Sequence, residues 1–96
     1  MDFSHAQVCR VTGLVGDPAA LGGAVTVALC GHWEHDGPCR WPHHTETSAD
    51  GDEWVSTVRF NAPEEELESV RSTITRVLAA GSLVGPDGRR TTWRVT

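Results

Sequence analysis

The stretch "NAPEEELESVRSTITRVLAAG", residues 61–81, reads as one helix, and the rest of the chain is arranged around it. Leu67, Val70, Ile74, Val77 and Leu78 recur at helical spacing and draw a single apolar stripe. Asn61 is a candidate cap, and Pro63 suits the first turn, where its missing N–H costs nothing. Glu64, Glu65 and Glu66 complement the positive end of the helix dipole. Gly81 stops the helix, so the expected span is about 63–80.

On both sides of this helix the apolar period shortens to two. "EWVSTVRF" (53–60) puts Trp54, Val58 and Phe60 on one side and Val55, Thr57 and Arg59 on the other. "VTVALCGHW" (25–33) alternates too, with Val25, Val27 and Leu29 opposed to Thr26, Ala28, Cys30 and His32. "AQVCRVTG" (6–13) is a first strand. "SLVGPDGRRTTWRVT" (82–96) is a hairpin turning through Gly85-Pro86-Asp87-Gly88. "LVGDPAALGG" and "HTETSADGD" are loops by their Gly, Pro, Ser and Asp content, the first with room for a turn of helix at "DPAAL". The expected class is α+β. An antiparallel sheet of four to five strands carries one long helix on one face, and its other face stays open. That outline resembles ferredoxin-like and related plaits, and a likeness of fold alone implies no function.

Ninety-six residues make one domain with a modest core, and 39% apolar with 22% charged residues describe an ordinary folded chain. No apolar run approaches the ~18 residues that span a bilayer. "MDFSHAQVCR" has neither the basic start nor the apolar stretch of a secretory signal, so cytoplasm is the expected location. A formal charge of −5 argues against duplex nucleic acid as a partner. The chain has three cysteines, an odd number that disfavours a disulfide framework and leaves thiol or metal chemistry open. Cys9 is read as a small buried apolar residue of the first strand.

Chemistry-bearing residues gather in "CGHWEHDGPCRWPHH", Cys30 to His44. Asp36-Gly37 is a strong two-residue turn signal. A hairpin closed there sets Cys30 opposite His43, His32 opposite Trp41, Trp33 opposite Arg40 and Glu34 opposite Cys39. Opposed Cβ atoms lie ~5 Å apart and same-strand neighbours on one face ~6.6 Å apart, so Cys30, His32 and His43 can converge on one ion. His44 replaces His43 if Pro42 shifts the register. Thiolate and imidazole suit Zn²⁺. Cys39 falls ~13 Å along the ladder from Cys30, too far to share an ion or a disulfide in a flat hairpin. A compact knuckle would instead use Cys30, His35, Cys39 and His43. The spacing matches no familiar zinc-finger, zinc-ribbon or metalloprotease motif. Trp33 and Trp41, with Arg40 between them, would make a partner-binding surface.

Three readings follow. The leading one is a small soluble binding or accessory domain whose segment 30–44 and open sheet face contact a protein partner or a second copy, with one Zn²⁺ as the organiser its residues would accept. The second is a metal- or thiol-dependent enzyme centred on Cys30, His32 and His43. The third is a homodimerisation domain with no site.

Overall fold

The computed structural model describes residues 3–30 and 41–96. In chain order these form β1 (His5–Val15), α1 (Ala20–Cys30), β2 (His43–Asp50), β3 (Glu53–Phe60), α2 (Glu64–Ala79), β4 (Ser82–Val84) and β5 (Arg90–Val95). The strands make one antiparallel sheet in the order β2-β3-β1-β5-β4. The α+β class and the antiparallel sheet of five strands agree with the sequence reading.

Two element assignments fail. The chain has two helices among its described residues, not one, because residues 20–30 form α1 and not a strand. The start of that helix is written at Asp17-Pro18. The Asp17 carboxylate accepts from the Ala19 N–H at 3.0 Å, its backbone carbonyl accepts from Ala20 N–H at 2.9 Å, and Pro18 presets the first turn. Leu21, Ala24, Val25 and Leu29 then bury one face at helical spacing. The alternation of Val25, Val27 and Leu29 covered five residues only, and packing of this longer stripe overrode the β preference of the three β-branched residues within it.

The second failure is "HTETSADGD", expected as a loop. Residues 43–50 are β2, which pairs with β3 from His43↔Phe60 to Asp50↔Glu53 through a turn at Gly51-Asp52. Its polarity hid it. Thr45 and Thr47 sit on the helix side and Glu46 and Ser48 on the other, as a half-covered edge strand requires.

α2 matches its expected span closely, with Val70, Ile74 and Leu78 buried. Asn61 does not cap it: Pro63 holds the cap position without a side-chain bond, and Asn61 Oδ1 instead accepts from the Ser4 N–H at 2.7 Å. Gly81 adopts φ +74°, and a Cβ there would stand 2.7 Å from the Trp93 carbonyl oxygen, so the chain leaves α2 through a position only glycine fills without strain.

Both helices lie on one face of the sheet and touch each other. Val11, Leu21, Val25, Val58, Phe60, Val70, Ile74 and Leu78 form the core there with Trp93, whose ring N–H donates to the Leu78 carbonyl at 2.8 Å. Trp54, in phase with Val58 and Phe60, packs against the core half-buried. Gly22 lets α1 come down onto β2, where its missing Cβ would be 3.2 Å from that of Thr45. No helix among the described residues is long and apolar enough to cross a membrane.

Candidate functional site

At the C-terminal end of α1 the fold assembles a small polar cluster with the first residue of β2. His43 Nδ1 lies 3.0 Å from the Trp41 carbonyl oxygen and His43 Nε2 3.0 Å from Thr26 Oγ1. A carbonyl only accepts, so Nδ1 carries the proton and Nε2 accepts from the threonine hydroxyl. Cys30 Sγ stands 4.0 Å from the same Nδ1. The sequence reading therefore paired the right two residues by the wrong element. Cys30 reaches His43 from the end of a helix, on the covered side of the sheet, and does not project from a strand onto the open face.

Cys30 is also disulfide-bonded, and Cys9 is the free cysteine among the described residues. The expectation that Cys30 stays out of a disulfide is corrected. A flat hairpin beginning at Cys30 would exclude the bond, and the helix that ends there removes that constraint. The proposed turn at Asp36-Gly37 and the candidates His32, Trp33, His35, Cys39 and Arg40 lie outside the described residues. Trp41 is half-buried and packs against the core. His44 points away from His43, as strand alternation requires, and its Nε2 is 3.8 Å from Glu46 Oε1 on the exposed side. Among the described residues no three His, Cys, Asp or Glu side chains gather as a metal group.

The opposite face of the sheet is the second candidate. No described element covers it. The strand register lays its side chains in rows: His44, Arg59 and Ala6; then Glu46, Thr57 and Val8; then Ser48, Val55 and Arg10; then Asp50, Glu53 and Thr12, with Arg94 beyond. Val8 is 63% exposed, and Val15 (68%) and Val84 (47%) continue the same face toward β5 and β4. The Arg10 guanidinium bonds Asp50 at 2.8 Å and Glu53 at 3.1 Å, and these two carboxylates, Asp50 first, hold it above its ordinary pKa. This charge layout escaped the sequence reading because β2 was taken for a loop. The available signal was the Thr45/Thr47 alternation running into a Gly51-Asp52 turn before an evident strand.

Two cavities open on the described surface. The larger, about 640 Å³, opens between the start of α1 and the β4–β5 turn, where the Asp17 N–H donates to Thr91 Oγ1 at 3.0 Å. A smaller one of about 410 Å³ lies beside Cys9, Thr75 and Val95. Burial raises the Cys9 thiol above its ordinary pKa, which keeps it protonated and poorly nucleophilic.

No protein-family model, curated protein or solved structure matches this chain.

Proposed function

We propose that the chain is a small binding or accessory domain that docks a protein partner on its uncovered sheet face. The supporting observation is that the uncovered face carries exposed valines, Val8 and Val15 on β1 and Val84 on β4, interspersed with charged side chains. A sheet face that mixes exposed apolar and charged side chains, and that no described element covers, has the composition of a partner-binding surface. The strand order β2-β3-β1-β5, with one helix after β1 and one after β3 on the same side, supports the ferredoxin-like plait, β4 being an added edge. A photo-crosslinking side chain at Thr57, in the middle of the face, tests the reading in cells. An adduct at residue 57, with none from the same group at Glu65 on the outer side of α2, is the expected result. No adduct at 57 would retire the surface.

A zinc-organised variant of this reading draws support from the Cys30–His43 pair. Two ligands of a tetrahedral zinc stand ~3.6 Å apart by bond length, close to the 4.0 Å between Sγ and Nδ1. It applies to the reduced chain only, since a disulfide sulfur is no thiolate ligand. Bound zinc would take the Nδ1 lone pair and turn Nε2–H toward Thr26. Native mass spectrometry with zinc, before and after treatment with a dithiol reductant, is expected to show one ion after reduction and none before. No uptake in either state would remove the metal. A cytoplasmic setting would keep this bond open and an oxidising one would keep it closed.

A further inference from the structure

We propose that the partner of the uncovered face is a second copy of this chain, with the β2–β3 hairpins of the two copies packed antiparallel about a two-fold axis running across the strands. The inference rests on the reading of that face as a docking surface and adds its occupant and symmetry. On this face the two ends of the β2–β3 hairpin carry opposite charges. Arg59 and His44 occupy one end, with Glu46 one row in, and Asp50 and Glu53 the other, with Arg94 beyond Thr12 in their row. Six residues of strand separate the ends, ~20 Å. At the acidic end two carboxylates share one guanidinium, Arg10, so that triad keeps a net negative charge.

A two-fold axis across the strands lays each end on the opposite end of the other copy. Arg59 of one then meets Glu53 of the other, and the contact occurs twice. Between the ends Thr57 falls on Val55, and Val8 on the aliphatic stem of Arg10. The alternative two-fold, along the strands, places the middle strand β1 on itself and sets Arg10 against Arg10. Like charges so opposed select against that arrangement. Aligned sheets pack ~10 Å apart, within reach of these side chains.

Sedimentation velocity on the full chain at low ionic strength is expected to show a dimer that loosens with added salt. Glu53→Arg and Arg59→Glu are each expected to weaken it on the order of 100-fold. An equimolar mixture of the two variants, and the chain carrying both substitutions, are expected to dimerise again, because each exchange restores opposite charges at both contacts. Both positions are on the solvent side of a strand, and circular dichroism checks that each variant is folded. Failure of the mixture to recover overturns the proposed symmetry, and recovery by Glu53→Arg with Arg94→Glu in its place would establish the axis along the strands. A wild-type chain that stays monomeric overturns the second copy. A residue-57 adduct of a mass other than twice the chain would do the same while leaving the docking surface intact.

Discussion

Thr45 shows how sharply a single oxygen can matter. Its Oγ1 is buried under α1 beside Gly22 with no hydrogen-bond partner among the described residues. Valine has the same shape without the hydroxyl, so Thr45→Val is expected to raise stability by about 1 kcal/mol in urea unfolding. Thr26→Val has the opposite sign. It strips a bonded donor from His43 Nε2 and is expected to cost about 1 kcal/mol. Cys9 sets a pH dependence. Its folded pKa is raised by burial, so the folded chain keeps a proton that the unfolded chain has lost. That contribution is complete below the unfolded value and disappears as pH rises through the folded one. Stability is therefore expected to fall on the alkaline side, and Cys9→Ala to flatten the slope. The sequence showed Cys9 as a strand residue, and it brought Cys30 and His43 together. The disulfide escaped it because a helix, not a flat hairpin, ends at Cys30, and the hydroxyl of Thr26 because its contact depends on where that helix meets the start of β2.

At the scale of elements, β1, β3, α2 and the β4–β5 hairpin were legible because each has one dominant period. α1 was not. Its central Val-Thr-Val prefers strands, and only the Asp17-Pro18 start and the Leu21-Ala24-Val25-Leu29 spacing argue otherwise. The two readings differ at Leu21, a loop residue in one and fully buried in the other. Leu21→Ala is expected to cost about 3 kcal/mol in denaturant unfolding. A change within a few tenths of a kcal/mol would mean that this segment does not pack as a helix. Gly81→Ala probes the exit from α2. The strained φ and the close Trp93 carbonyl should together cost about 2 kcal/mol, seen as a lower midpoint with unchanged slope.

For the molecule as a whole, net charge and sheet order govern behaviour. Protonating all five histidines would take the formal charge from −5 to 0, so turbidity is expected to rise on mild acidification and to clear on return to neutral pH. Sheet order has a kinetic consequence. The central strand β1 pairs on one side with β5, joining Val11 to Val95 across nearly the whole chain, whereas β2 and β3 close through a two-residue turn. Loop closure grows as (3/2)RT ln n, so the distant pairing carries about 3 kcal/mol more chain entropy than the local one. The β2–β3 hairpin should then form early and β5 should join last. Substitutions in the hairpin, such as Thr47→Gly, are expected to slow refolding, whereas those in β5, such as Thr92→Gly, should mainly hasten unfolding. The strand that completes the sheet would thus act as the latch of the native state, setting how long the molecule stays folded and having little say in how fast it gets there.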